Sequence, residues 1–229
     1  MQIKGPMTGQ VTDRDREILK HIVRHGAATV DQLQRRFFTG RSQAYARLGR
    51  LAGMKLVRLA RVLHGEPGVY VVTATGAALA DCDLPAARLK AGSLRHHLMV
   101  ADLAEHLLGE HPDSTWTTER ELRRDILRGR RDLHSGRLGP AQMSRTPDGL
   151  LTMADGKTVA IELELSNKSN QLYRNIIGVL ASHRPADKVV WFVRSKAAQE
   201  RIAAEAQPFH LPASYLELRP LPWPKVKAP

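Results

Sequence analysis

Apolar residues recur at helical spacing three times within the first 53 residues. The first stripe follows a capping residue at Thr12 or Asp13 and ends at Gly26. The second follows Thr29, and the third occupies residues 41–53. The inner face of this third segment is made of Ala44, Leu48 and Leu51. Three short helices in this order are typical of a helix-turn-helix.

An alternating pattern follows these helices and predicts two short strands. Residues 55–63 alternate, the HGEPG sequence at 64–68 supplies a turn, and residues 69–73 return as a second strand. Such a β-hairpin behind a helix-turn-helix is a wing, and Thr73 begins one more short helix. We therefore expect a winged helix-turn-helix over residues 1–81.

The outward face of the third helix is suited to a DNA groove. Its centre carries small side chains, and its flanks carry hydrogen-bond donors for base edges and phosphates. The predicted DNA-binding residues are Arg41, Ser42, Gln43, Tyr45, Arg47, Arg50 and, in the wing, Arg61. A small helical domain that binds protein would need the same apolar stripes, so that alternative stays open.

Charge favours nucleic acid. The formal net charge is +12 and the pI about 10.3. Residues 1–90 carry 15 Lys and Arg against 7 Asp and Glu, whereas residues 91–229 carry 20 against 16. Because the excess lies mainly in the first part, a polyanionic partner is expected there.

The single cysteine, Cys82, excludes a disulfide within the chain and a zinc site of several thiolates. The sequence has no apolar run of 18 residues and no signal-peptide core at its start. We expect a cytoplasmic protein.

A second domain is predicted after a linker at residues 82–92. It spans residues 93–219 and begins with a long helix capped by Ser93, and residues 220–229 form a tail. Residues 114–125 are predicted to be a strand that enters a charged segment, and the basic residues 123–145 are expected to form a loop that can bind phosphates. The later predicted elements are a hairpin at 149–165, helices at 170–182 and 196–206, and strands at 188–193 and 215–218. These elements predict an α/β sandwich.

Carboxylates cluster on the predicted hairpin. Alternation along its second strand places Ala160, Glu162 and Glu164 on one face and Val159, Ile161 and Leu163 on the other. Asp148, at the start of the partner strand, is expected near the two glutamates. Three oxygen ligands together would suit Mg²⁺ or Mn²⁺. The alternative is a surface strand whose glutamates form salt bridges with arginines. Further candidate acidic residues are Glu105, Glu119 and Glu121.

The motifs also resemble known families. Pro147-Asp148 followed by Glu162-Leu163-Glu164 resembles the PD-(D/E)xK restriction-endonuclease-like superfamily, with Glu164 where the usual lysine would stand. The winged helix followed by HHLMVADL, ERELR, PDG and IELELSNKS is similar to the replication-relaxation family of mobile elements, which is related to MOBC-type conjugative relaxases. The resemblance spans about Thr12 to Phe192.

The resemblance implies a metal-dependent enzyme that nicks DNA strands of a plasmid or integrative element. Asp148, Glu162 and Glu164 would bind the metal, and Lys168 would assist in place of the missing lysine. Its partners would be double-stranded DNA, nicked or single-stranded DNA and other plasmid-processing proteins. Three alternatives stay open: an inactive DNA-binding regulator or replication accessory protein, an orphan restriction-like enzyme, and a covalent mechanism through a tyrosine at 45, 70, 173 or 215. A homodimer is also left open.

Overall fold

The protein is a mixed α/β structure made of two compact units, residues 1–102 and 103–229. The structure, a computed structural model, describes residues 10–132, 146–166 and 168–223. The sequence predicted a linker at 82–92, whereas the division between the compact units falls between Asp102 and Leu103.

Capping residues set the ends of the three predicted helices in the first unit. These helices are α1 (Asp13–His25), α2 (Val30–Phe37) and α3 (Arg41–Gly53). Thr12 and Asp15 form a reciprocal capping box at α1, since each side chain accepts a hydrogen bond from the other's backbone N–H. Thr29 and Gln32 do the same for α2. Gly26 ends α1 with a φ of 85°, which a side chain would strain. The predicted helices are therefore confirmed.

A small antiparallel sheet follows. It contains β1 (Ala28–Thr29), β2 (Val57–Ala60) and β3 (Val69–Val72), in the order β1-β3-β2, and α4 (Ala74–Ala78) comes directly after it. The hairpin of β2 and β3 and the helix behind Thr73 were predicted. Strand β1 was not, because a two-residue strand has no periodicity to detect.

The two faces of this sheet bury different partners. Tyr70 and Val72 pack into the core that the helices α1–α3 form around Ile18, Leu33 and Leu48. The alternate residues of the sheet face a second cluster, made of Ala60, Val69, Val71 and Leu94. The sheet is thus covered on both sides.

Helix α5 (Ala91–Glu110) supplies that second cover. It begins two residues before Ser93, so the prediction that Ser93 caps it was wrong. Polar contacts hold its first half in the unit: Gln32 Nε2 donates to the Leu98 carbonyl at 2.8 Å, and Arg95 Nε donates to Glu66 of the hairpin turn at 2.5 Å. Residues after the expected linker therefore complete the fold of the first unit.

The second unit is built on a five-stranded sheet in the order β4-β5-β6-β7-β8. The strands are β4 (Thr115–Thr118), β5 (Gly149–Thr152), β6 (Thr158–Glu164), β7 (Lys188–Val193) and β8 (Leu216–Pro220). The first three pair antiparallel, and β6, β7 and β8 pair parallel. The predicted hairpin and later strands are confirmed to within two residues.

Helices α7 (Asn170–His183) and α8 (Lys196–Ala206) make the connections between the parallel strands. Their side chains Tyr173, Ile177 and Ile202 pack with Ala160 of β6 and Trp191 of β7 in one core. The opposite face of β6 carries Val159 and Ile161, which line a cavity of about 590 Å³. The alternation predicted for β6 is therefore confirmed.

The basic segment after β4 differs from the prediction. Glu119–Asp132 is a helix, α6, whereas residues 123–145 were expected to form a loop. The Glu121 carboxylate accepts hydrogen bonds from the Thr118 backbone N–H and hydroxyl, both at 2.8 Å, and so caps the helix. Residues 133–145 and 224–229, the latter in the expected tail, lie outside the described residues.

Candidate functional site

Asp148 is held at the start of β5, facing the end of β6. The register pairs Gly149 with Ile161, so one further step brings Asp148 opposite Glu162. Asp148 Oδ2 accepts a hydrogen bond from the backbone N–H of Leu163 at 2.8 Å. Gly149 is required here because a Cβ would lie 1.9 Å from the ring of Trp116. The PDG motif thus fixes the Asp148 carboxylate against β6.

Glu162 projects from β6 into a charged environment. Burial raises the pKa of its carboxyl well above the usual range, and nearby Asp148 raises it further. The Lys168 ammonium acts in the opposite direction, while Glu119 and Glu164 add to the increase. Asp148, Glu162 and Lys168 therefore interact electrostatically at one site. Such crowding of carboxylates is relieved by a bound cation or proton.

Glu164 is committed to contacts within the chain. Its side chain is 1% exposed and forms an ion pair with Lys168, whose side chain is 30% exposed. Its Oε1 also accepts hydrogen bonds from the Ser166 backbone N–H at 2.9 Å and hydroxyl at 3.1 Å. Both carboxylate oxygens of Glu164 thus have partners, and Glu164 holds the Lys168 ammonium beside Glu162.

Three metal ligands were predicted, Asp148, Glu162 and Glu164, and the structure pairs one of them, Glu164, with Lys168. Across the described ranges 10–132, 146–166 and 168–223, no group of three or more His, Cys, Asp or Glu side chains is arranged to hold a metal ion. Asp148 and Glu162 stand opposite each other in the register of β5 and β6, whereas Glu164 is paired with Lys168. Mg²⁺ is commonly held by one or two carboxylates together with waters and substrate phosphates, so this pair fits a hard divalent ion.

The three further candidate glutamates, Glu105, Glu119 and Glu121, differ in whether they lie near Glu162. Glu119, in the first turn of α6, is near enough to raise the pKa of Glu162, and it also pairs with Arg123 at 2.5 Å. Glu121 caps α6 instead. Glu105 is half-buried on α5. Glu119 is thus the accessory residue that the structure brings to the carboxylates.

The predicted DNA-binding face of α3 is largely open. Its exposed residues are Arg41, Ser42, Gln43, Tyr45, Ala46, Gly49 and Arg50, and Arg61 is exposed beside β2. Arg41 pairs with Asp31 at 2.9 Å and lies over the ring of Tyr45 at 5.7 Å. Thr39 Oγ1 donates to Gln43 Oε1 at 3.0 Å. The donors are therefore arranged on the surface by short-range contacts.

Arg47 is an exception on this helix. Its guanidinium bonds to Asp15, a carboxylate with 0% of its surface exposed, and the Nε–Oδ1 distance is 2.6 Å. Burial raises the pKa of Asp15, but the bonds from Arg47 and Thr12 outweigh it and hold the pKa below the usual value. Arg47, which was predicted to bind DNA, therefore joins α3 to α1 through Asp15.

A protein-family comparison matches residues 19–178 to a model described as replication-relaxation. The chain belongs to the replication-relaxation family. Membership of this family indicates a protein related to replication and relaxation, whose function involves DNA. The match reaches from α1 into α7, so in this replication-relaxation protein it includes α3, Asp148, Glu162 and Lys168.

Other comparisons add no relative for this replication-relaxation protein: no curated protein and no solved structure matches the chain. In the part of the chain that the structure describes, none of the helices combines the length and apolar character needed to cross a membrane.

Three of the four tyrosines of this family member are buried. Tyr70, Tyr173 and Tyr215 are 7%, 0% and 4% exposed, and the Tyr215 hydroxyl donates to the Leu180 carbonyl at 2.9 Å. Tyr45 on α3 is 48% exposed. A covalent tyrosine mechanism would therefore have Tyr45 as its accessible candidate, in a different unit from the carboxylates.

Sequence reasoning missed the roles of Asp15 and Ser166, and it named Tyr173 only as a candidate for a covalent mechanism, not for its bonds to the backbone of Ser166 and Lys168. Asp15 had a signal, since Thr12-x-x-Asp15 is a capping-box pattern. Its second contact, with Arg47, has none, because the two residues are 32 positions apart. The bonds of Ser166 and Tyr173 depend on the path of the loop after β6, which carries no periodic pattern.

Proposed function

We propose that this protein is a DNA-binding, metal-dependent endonuclease that nicks one strand of plasmid or integrative-element DNA. The observation that carries this proposal is the grouping of Asp148, Glu162 and Lys168 where β5 starts and β6 ends. Family membership supports a DNA substrate.

In this proposal the first unit is a winged helix-turn-helix that binds duplex DNA. Helix α3 enters the major groove with its small central residues, Ser42, Ala46 and Gly49, close to the bases. Arg41, Gln43, Tyr45 and Arg50 contact base edges or phosphates, and Arg61 of the wing contacts the backbone. Arg47 keeps α3 in place through Asp15.

The second unit is proposed as a restriction-endonuclease-like domain. Asp148 and Glu162 would hold Mg²⁺ or Mn²⁺, which when bound supplies a Lewis acid at the scissile phosphate and lowers the pKa of a ligated water. The backbone N–H of Leu163 orients the Asp148 carboxylate. The positive charge of Lys168 lies where it can stabilise negative charge on the phosphate.

Glu164 has a distinct role in the proposal. In the superfamily pattern its position carries the lysine, whereas here it bonds to Lys168 four residues later. The carboxylate of Glu164 thus restores an ammonium group to the site from the next segment of the chain. Cleavage would then need both residues, Glu164 to position and Lys168 to act.

A second candidate function is a catalytically inactive DNA-binding regulator or replication accessory protein. The commitment of Glu164 to an ion pair favours it, because a three-carboxylate ligand set is then missing from the described residues. The DNA-binding unit would be the same in both cases.

A nicking assay separates the two candidates. Supercoiled plasmid carrying the element's own origin is incubated with the full chain and Mn²⁺ or Mg²⁺, with Asp148→Ala as the test variant. Glu105→Gln, a change on α5, serves as a control for purification. Nicking by wild type and the control but not by Asp148→Ala supports the endonuclease. Sequence-specific binding without nicking by any of the three would support the regulator.

A further inference from the structure

The segment that carries Lys168 is hydrogen-bonded to the side chain of a buried tyrosine, Tyr173. Tyr173, in the first turn of α7, is 0% exposed, and its ring contacts Trp191 edge-on at 6.0 Å between centroids. Its hydroxyl accepts a hydrogen bond from the Lys168 backbone N–H at 3.2 Å and donates one to the Ser166 carbonyl at 3.3 Å. One hydroxyl therefore ties two residues of the segment between β6 and α7.

The position of Lys168 is fixed at three points. Its N–H bonds to Tyr173, its carbonyl accepts from Arg201 at 3.5 Å, and its ammonium pairs with Glu164. Ser166, the other partner of Tyr173, also donates to Glu164. The Tyr173 hydroxyl thus holds both residues that contact the Glu164 carboxylate.

We propose that Tyr173 is a positioning residue for Lys168 and determines whether the Lys168 ammonium stays beside Glu162. This inference rests on the proposed nicking function for its effect on rate, but the position of Lys168 can be measured without it. The Tyr173 phenol uses both of its hydrogen-bonding capacities on one short segment, so its loss removes one partner each from the Lys168 N–H and the Ser166 carbonyl.

The test uses Tyr173→Phe in the full chain, with Tyr215→Phe as the matched control. Tyr215 is also buried in the same core, and its hydroxyl also bonds to a backbone carbonyl, but that carbonyl belongs to Leu180, near the other end of α7 from Lys168. Both variants keep the ring and lose only the hydroxyl, so a general loss of stability would affect both.

The first measurement is the kinetics of nicking. Tyr173→Phe is expected to lower kcat by about 10- to 100-fold, as outer hydrogen-bond partners of active sites do, with KM for DNA unchanged. Tyr215→Phe should keep the wild-type kcat. In a Lys168→Met background, Tyr173→Phe should lower the residual rate no further, because the group it positions is gone. An equal decrease in both backgrounds would overturn the inference.

The second measurement is the reactivity of the Lys168 amine, followed by reductive methylation and mass spectrometry on the folded protein. Tyr173→Phe should increase the methylation rate of Lys168 several-fold, and Tyr215→Phe should not. If wild type does not nick, the proposed function fails while this rate still decides the role of Tyr173. An unchanged methylation rate in Tyr173→Phe would overturn the inference whether or not the protein nicks DNA.

Discussion

Arg47 of α3 donates through Nε to the Asp15 carboxylate of α1 at 2.6 Å, across 32 residues of sequence. Asp15 is wholly buried, and its other bonds go to Thr12 at the start of the same helix. One carboxylate therefore caps α1 and holds the helix that we propose enters the DNA groove.

Arg47→Ala should destabilise the first unit, and Arg50→Ala should not. Removing Arg47 leaves the buried Asp15 charge without its cation, which costs about 3 kcal/mol of unfolding free energy. Arg50 is exposed on the same helix, so its loss should change stability by less than about 0.5 kcal/mol but weaken DNA binding. Urea denaturation and DNA-binding titrations measure the two effects. Equal stabilities of the two variants would contradict the assigned role of Arg47.

Gly49→Ala should separate the stability of α3 from its proposed contact with DNA. Nothing lies within 4 Å of a Cβ built at Gly49, although this position is inside a helix. Alanine should therefore stabilise the unit by about 1 kcal/mol. The same methyl group would stand on the face proposed to approach the bases, so DNA affinity should fall. An increase in stability with unchanged affinity would place the DNA elsewhere.

The first unit should lose stability in acid because of His21. Burial, followed by the charge of neighbouring His25 at 4.7 Å between ring centroids, lowers the pKa of His21 to about 2. The folded state therefore keeps His21 neutral, whereas the unfolded chain binds a proton below pH 6.5. Stability is full above pH 6.5 and decreases by about 1.4 kcal/mol for each pH unit below it.

Denaturation curves at pH 7.5 and pH 5.0 check this sign. His21 alone accounts for a loss of about 2 kcal/mol over that interval. His21→Leu should reduce the difference between the two curves by about that amount. Two His21→Leu curves that differ as much as those of wild type would contradict the role assigned to His21.

Gly149→Ala should damage the second unit and the candidate site together. The added Cβ would overlap the ring of Trp116, which is 5% exposed and cannot move freely. Overpacking of this kind costs about 2 kcal/mol and should displace Asp148 next to it. Gly109→Ala, where nothing lies within 4 Å of the new Cβ, is the control. Thermal unfolding distinguishes them, and equal melting temperatures would contradict the packing argument.

Local patterns were sufficient to predict most of the elements. Capping residues such as Thr12 and Thr29 fix helix starts within four residues of sequence, and alternation in β6 separated Ala160 from Ile161 correctly. These features depend on neighbours in the chain. They are therefore visible without knowledge of the fold.

The unpredicted features depend on residues that meet only after folding. Alternation placed Glu162 and Glu164 on one face, but it could not show that Glu164 would pair with Lys168. The sequence assigned the helix after residue 92 to the second domain, so the packing of α5 on the first sheet through Leu94 was not foreseen. Both the Glu164 ion pair and the packing of α5 depend on contacts that the local sequence pattern does not encode.

The most direct test of the proposed site compares Glu162→Gln with wild type in single-turnover nicking of origin plasmid at saturating Mn²⁺. Glutamine keeps the size of the side chain and removes the charge that would hold the metal. We predict at least a 100-fold lower rate, as expected when a metal ligand is lost, with unchanged duplex binding. A Glu162→Gln protein that nicks DNA at the wild-type rate would contradict the assignment of Asp148 and Glu162 as the metal site.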